Sequence, residues 1–172
     1  MTTRRQVTPD QLYRFLREHN IMDYILSQYM NVSESIVRGC FRHDLNRHGK
    51  PLHFSPDNIR RINDALPRLA HDIRACHIHF GQGETYVNRC GREYDRSIAD
   101  QVKAGISRFF NVKELTARVL GWNLLKCKAR LSSRGHQTYS NVSREDCDRL
   151  NDELVAVASI LEGYEVIGDK QE

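Results

Sequence analysis

Nowhere in the 172 residues is there an apolar run near the roughly 18 that a membrane span requires. Met1-Thr-Thr-Arg-Arg-Gln6 is basic, but no apolar stretch follows it, so no secretory signal is expected. The five cysteines are odd in number, have no framework spacing and include no Cys-x-x-Cys, which argues against a disulfide scaffold. They read as reduced thiols in an intracellular, cytoplasmic protein, where the Asn-Val-Ser triplets at Asn31 and Asn141 have no role as glycosylation acceptors. No nucleotide-binding glycine loop is present, because Gly81-Gln-Gly83 is too short and precedes a strand-like segment. No nucleophile elbow occurs, and no Ser, Cys or His has the spacing of a nucleophile with its base. An enzyme is therefore not expected, nor is a cofactor. Cys76-His77-Ile78-His79 with Cys90, and Cys40 with His43, bring soft ligands near one another. Adjacent Cys76 and His77, however, would point to opposite sides of a strand, so these read as surface histidines and not as a metal site.

What the chain does contain is repetition. Leu26-Ser-Gln-Tyr-Met-Asn-Val-Ser-Glu34 returns 80 positions later as Ile106-Ser-Arg-Phe-Phe-Asn-Val-Lys-Glu114. Ser27/Ser107, Asn31/Asn111, Val32/Val112 and Glu34/Glu114 are identical. A second echo, at an offset of 88, relates Ser55–Leu66 to Ser143–Leu154. Internal duplication of this kind sets the frame for reading the fold.

Local patterns then give the elements. Thr8-Pro9-Asp10-Gln11 has the cap, first-turn proline and third-position glutamine of a helix start. Leu12, Phe15 and Leu16 follow at helical spacing. A second helix is expected from about 21 to 30, closed by Asn31 in a left-handed conformation. A third, from 34 to about 43 and capped by Ser33, should turn Ile36, Val37 and Cys40 inward. The polar run 44–54 reads as a basic loop. Ser55-Pro56 opens a long helix whose Ile59, Ile62, Leu66, Leu69 and Ile73 lie on one face. Cys147, Leu150, Leu154, Val157 and Leu161 match them, each 88 positions on. His77–Phe80 and Glu84–Asn88 read as a β-hairpin about Gly81-Gln-Gly83, and Tyr164–Gly168 resembles His77–Gly81. A strand is thus expected after each long helix, with the two strands pairing. The first helix of the second copy should run from about 95 to 110.

The fold expected is mainly α. Two tandem helix-turn-helix repeats, 8–81 and 95–168, pack together around a connector at 82–94, with a small β-hairpin or short sheet between and after them. No Pro/Ser-rich linker separates the copies. Hydrophobic content of 40% with 28% charged residues excludes disorder as the default.

Net charge is only +4, but it is segregated. Lys113–His136 holds six Lys or Arg against Glu114 alone, a local +5; Arg144–Glu172 holds three bases against nine acids, a local −6. Such polarity suits a protein that meets a polyanion on one face.

Two short helices about a tight turn resemble the λ-repressor-like (Xre/Cro/C1-type) DNA-binding family. Ser27, Asn31, Val32, Val37 and Cys40 fill the positions of that motif, as do Ser107, Asn111, Val112, Ala117 and Leu120 in the second copy. The resemblance covers about 12–73 and 95–161. It departs from the family pattern in having Asn at the turn glycine and longer loops after the second helix. It implies a sequence-specific double-stranded DNA binder, a repressor-like transcriptional regulator in which one chain acts as a pseudo-dimer. The second helix of each motif would enter the major groove. Ser33, Glu34, Ser35, Arg38 and Arg42 would face the bases in the first copy, and Lys113, Glu114, Leu115, Arg118 and Trp122 in the second. Arg38 and Arg118 are the candidates for bidentate guanine contact, while Arg47, Lys50, Lys126, Lys128, Arg130 and Arg134 would neutralise phosphates. Glu34 and Glu114 either accept from cytosine or stabilise the helix N-terminus. Leu115 and Val119 put apolar groups where polar readers belong, which leaves packing or a protein partner open for the second copy. Trp122 either stacks on a base or fills the core. The competing reading is a helical protein–protein interaction module without DNA binding. The acidic helix 144–162 offers a surface for a homodimer or another partner.

Overall fold

The computed structural model describes residues 3–131 and 142–168. Strand β1 (Arg5–Val7) leads into helices α1 (Pro9–Glu18), α2 (Tyr24–Met30), α3 (Glu34–Arg42) and the long α4 (Pro56–Ala75). Strands β2 (Thr85–Val87) and β3 (Glu93–Asp95), helix α5 (Ile98–Ala104) and a 3-10 turn (Ile106–Arg108) follow. Then come α6 (Val112–Leu120), α7 (Leu124–Leu131), β4 (Val142–Ser143), the long α8 (Arg144–Glu162) and β5 (Tyr164–Val166). The fold is mainly helical with two small sheets. Among the described residues no helix is long and apolar enough to cross a membrane.

Local chemistry explains the helix ends. Thr8 and Gln11 close a reciprocal capping box at α1, with the Gln11 N–H on Thr8 Oγ1 at 3.2 Å and the Thr8 N–H on Gln11 Oε1 at 2.9 Å. Helix α2 ends where Asn31 turns left-handed (φ 54°, ψ 47°). The Asn31 N–H then donates to Gln28 O and the Val32 N–H to Ser27 O, the paired bonds of a Schellman closure. His43 ends α3 in the same way (φ 53°), and Gly121 takes φ 69° after α6.

The chain divides into two units, one holding residues up to Asp72 with those from Val157 onward, the other Ile73–Ala156. In the first, Leu12, Leu16, Ile25, Leu26, Val37, Ile62, Leu66 and Leu69 form the core, each at most 3% exposed. Strand β1 pairs in parallel with β5, in register Val7↔Val166. In the second, Ile98, Ile106, Phe110, Leu115, Leu150 and Leu154 are buried, and β3 lies between antiparallel β2 and β4. Residues of α4 and of α8 belong to both units, the division falling after Asp72 in one helix and after Ala156 in the other.

One pair of contacts repeats across the two units. The Asn63 carboxamide receives the Val166 N–H (2.7 Å) and donates to Val166 O (2.8 Å). Asn151 does the same for Ile78, at 2.7 Å and 2.9 Å. Asn63/Asn151 and Ile78/Val166 both stand 88 positions apart, the offset of the second sequence echo. Ile62/Leu150, Leu66/Leu154, Leu69/Val157 and Ile73/Leu161 are matched in burial at 2% exposure or less.

Several expectations are corrected. His77–Phe80 is not a strand, and β5 does not pair with it. Asn151 takes both backbone groups of Ile78, Gln101 takes both of His79 (2.8 Å each), and buried Asp95 accepts the Gly81 N–H (2.7 Å). With its backbone claimed by side chains, that segment has no use for a strand partner. The hairpin instead joins β2 to β3 through Asn88, whose Oδ1 accepts the Cys90 and Arg92 N–H groups at 2.9 Å, and through left-handed Gly91. The first helix of the second copy stops at Ala104, before a separate 3-10 turn. Ile36 is 49% exposed, not inward, because the Ser33 cap places it in the first turn of α3, outside the Val37/Cys40/Phe41 face.

Candidate nucleic-acid interface

Helices α2 and α3 are joined by three residues, Asn31, Val32 and Ser33. Ser27 is buried within α2, its hydroxyl donating to Tyr24 O at 2.6 Å. Two arginines of α4 close the C-terminus of α2. Arg68 donates to Tyr29 O at 2.7 Å and lies over the Tyr29 ring, while Arg61 donates to Met30 O at 3.4 Å. Each satisfies a carbonyl that the helix leaves without a partner, at the end where the dipole favours a cation. Sequence reading missed both; the only signal was their seven-residue spacing on the outer face of a long amphipathic helix.

Helix α3 packs inward through Val37, Cys40 and Phe41. Phe41 stacks on Tyr13 (4.7 Å, 12°) and meets Phe54 edge-on (4.9 Å, 75°). Its other end is open. Ser33 makes no side-chain cap bond and instead sits 3.2 Å from the Ser35 hydroxyl. Ser33, Glu34, Ser35 and Ile36 are all exposed beside an open cleft of about 440 Å³ lined by Tyr24, Ser27, Gln28 and Asn31–Glu34. The Ile36 and Val37 N–H groups turn back to Ser33 O at 3.1 Å and 3.2 Å, and the Glu34 and Ser35 amides precede the first intrahelical bonds. Further along, Arg38 pairs with Glu34 one turn back. Arg42 lies 3.9 Å from Asp23, and its pKa is held above the ordinary arginine value by a hydrogen bond to the Tyr13 side chain.

After α3 the chain folds into a tight hairpin in which Leu45 bridges Pro51 and Gly49 is left-handed. Asn46 Oδ1 gathers the His48 and Lys50 N–H groups at 2.8 Å and 3.1 Å. Arg47 and Lys50 are exposed at its tip, and Arg47 Nε donates to His48 Nε2 at 3.1 Å. The hairpin seats on α3 because Gly39 is bare, since a Cβ there would stand 3.1 Å from Leu52 Cδ1.

The segment from Ile106 to Leu131 presents a different surface. The nine-residue echo does not carry equal roles: Asn31 turns left-handed at a helix end, whereas Asn111 is extended and caps α6, accepting the Glu114 N–H at 3.4 Å. Measured from their ends, α3 and α6 stand 78 apart, not 80, and the faces rotate accordingly. Leu115 and Thr116 are buried while Ala117 is exposed and Leu120 half-buried. Leu115 and Trp122 are therefore core residues, 1% and 3% exposed, and not readers. Arg118 is bound to Glu153 of α8, which is 17% exposed. Lys113, Glu114, Lys126 and Lys128 are exposed; Lys126 lies over Trp122 (5.6 Å), and half-buried Arg130 over Tyr94 (5.8 Å). Arg134 lies outside the described residues.

Among the described residues no group of three His, Cys, Asp or Glu is arranged to hold a metal ion. Asp95, fully buried, is an anchor of the fold. Burial opposes its charge, but the Ser97 N–H and hydroxyl and the Gly81 and Gly83 amides outweigh it and hold the carboxyl below its ordinary value. No family model, curated protein or solved structure matches the chain.

Proposed function

We propose that this protein binds double-stranded DNA sequence-specifically and acts as a repressor-like transcriptional regulator built from two diverged helix-turn-helix copies. The observation that carries the reading is the α2–α3 pair. Its left-handed Asn31 turn is closed by backbone bonds and by Arg61 and Arg68, and it leaves Ser33, Glu34, Ser35 and Ile36 exposed at the start of α3. A helix so presented fits the major groove with its N-terminal side chains toward base edges. Ser33, Ser35 and Arg38 are the polar readers. Arg38 must exchange Glu34 for a guanine edge, and Glu34 screens it from the wrong partner until then. Arg47 and Lys50, on a stiff hairpin, contact phosphates and position the helix.

The second copy contributes charge in place of readout. Lys113, Lys126 and Lys128 neutralise phosphates, while Leu115, Arg118 and Trp122 belong to packing. Titration of a mixed-sequence duplex tests the phosphate contacts of the 45–51 hairpin, with wild type beside Arg47→Ala/Lys50→Ala at about 50 and 200 mM salt. Each lost phosphate contact lowers the slope of log affinity on log salt by about 0.9, so the double variant should be shallower by about 2. Equal slopes would remove the hairpin from the interface.

Leu124 and Leu125, 50% and 77% exposed at the start of α7, favour a second reading in which this face meets a protein partner. A Leu124→Ser/Leu125→Ser variant with unchanged DNA affinity but a lost partner would support it.

A further inference from the structure

Ile36 is the one large apolar side chain exposed on α3, and it stands in the first turn beside Ser33, Glu34 and Ser35, with 49% of its surface open. Its helical neighbours on the inner face are buried: Val37 is 1% and Cys40 5% exposed. Packing within the fold therefore covers only about half of this side chain and leaves the rest on the face that α3 presents to solvent. A β-branched residue also gives up helix propensity that a polar or straight-chain side chain would keep.

This inference rests on the DNA-binding reading above and deepens it. The major-groove floor offers hydrogen-bond donors and acceptors at every base pair but one apolar feature, the C5 methyl group of thymine. Serine hydroxyls and the Arg38 guanidinium gain nothing from that methyl; a branched aliphatic side chain does. Burial of Ile36 against a polar base edge strips water from that edge without replacing its hydrogen bonds, which is unfavourable. Burial against a methyl removes apolar area from water on both partners. The same side chain thus attracts one base and disfavours the others.

We infer that Ile36 is a specificity residue that reads the C5 methyl of a thymine in the half-site contacted by α3. The chemistry it recognises is the 5-methylpyrimidine edge, so 5-methylcytosine at that step would partly restore binding where cytosine fails.

The test uses the full chain and a duplex recovered by selection from a random pool. Each thymine in the site is replaced in turn by uracil, which deletes the methyl and keeps every hydrogen-bonding group. For wild type, uracil at one or two positions should weaken binding about three- to fivefold, the effect of one buried methyl. Ile36→Ala should bind thymine and uracil sites alike at those positions, and Ile36→Val should fall between. A circular-dichroism melt shows whether each variant is folded; at an exposed site both should melt with wild type.

If wild type selects a site yet tolerates uracil everywhere, the methyl-reading role is wrong while DNA recognition stands. If uracil costs the same in Ile36→Ala as in wild type, another side chain reads the methyl and the assignment falls. If no duplex is bound at low salt, the inference fails together with the reading beneath it.

Discussion

The duplicated asparagines allow a quantitative test of how the fold is closed. Asn151 is 8% exposed and makes two hydrogen bonds to Ile78, itself 2% exposed. Truncation in Asn151→Ala removes both bonds and leaves a buried N–H and a buried C=O without partners. Each stranded group costs about 1–3 kcal/mol, so the variant should lose about 2–6 kcal/mol. That is a large part of the 5–15 kcal/mol or so that typically holds a domain together. Asn63→Ala removes the equivalent pair at Val166, but its carboxamide is only part-buried. Water reaches the vacated groups more easily there, so the loss should lie at the lower end of the same range. Asn151→Asp keeps an acceptor for the Ile78 N–H but sets oxygen against Ile78 O, and should be no better than Ala. Urea unfolding followed by circular dichroism measures all three, with midpoints compared at constant slope. A loss below about 0.5 kcal/mol for both alanine variants, the size of an ordinary surface change, would refute the claim that these side chains close the fold.

Asn31→Gly should leave thermal stability unchanged or slightly raised, whereas Asn31→Ala should cost about 1 kcal/mol because a Cβ resists the left-handed turn; equal melting of the two would place the constraint elsewhere. Asp95 has a depressed native pKa, so its contribution is present above the unfolded value near 4 and disappears as pH falls through the lower native value. Asp95→Asn should accordingly be much less stable than wild type at pH 7 and should converge with it on acidification, and a gap independent of pH would contradict the linkage. Burial pushes the Cys147 thiol up to about 12 and raises that of Cys40, while Cys90 is exposed. A maleimide at about pH 8, near the ordinary thiol pKa, should label Cys90 and spare Cys40 and Cys147, as read by mass spectrometry.

Much of the scaffold could be read from the chain because its signals are local. The Thr8 box, the left-handed Asn31 and the matched apolar stripes of α4 and α8 all depend on residues within a turn or two of each other. What failed depends on partners distant in sequence. His77–Phe80 alternates like a strand, but Asn151 and Gln101 take the backbones of Ile78 and His79, and Asp95 takes the amide of Gly81 just after them, from between 14 and 73 positions away. The identity of Asn31 and Asn111 suggested one register for both copies. Asparagine serves equally well in a left-handed turn and as an N-cap, so the match hid a shift of two residues that buries Leu115 and ties Arg118 to Glu153. Ile36 was misplaced although the start of α3 was read correctly: standing one residue before Val37, it lies about 100° round the helix, off the Val37/Cys40/Phe41 face. The arginine caps on α2 were invisible because nothing in a helical pattern marks which outer-face cation will meet a distant carbonyl.

The most direct test of DNA recognition by α3 is selection from a random duplex pool with wild type, Ser35→Ala/Arg38→Ala and Arg118→Ala in parallel. Wild type and Arg118→Ala should both enrich a defined site, since Arg118 is engaged with Glu153. Ser35→Ala/Arg38→Ala should bind in a salt-sensitive way without a preferred sequence. Enrichment of the same site by that double variant, or no binding by wild type even at low salt, would overturn recognition by α3.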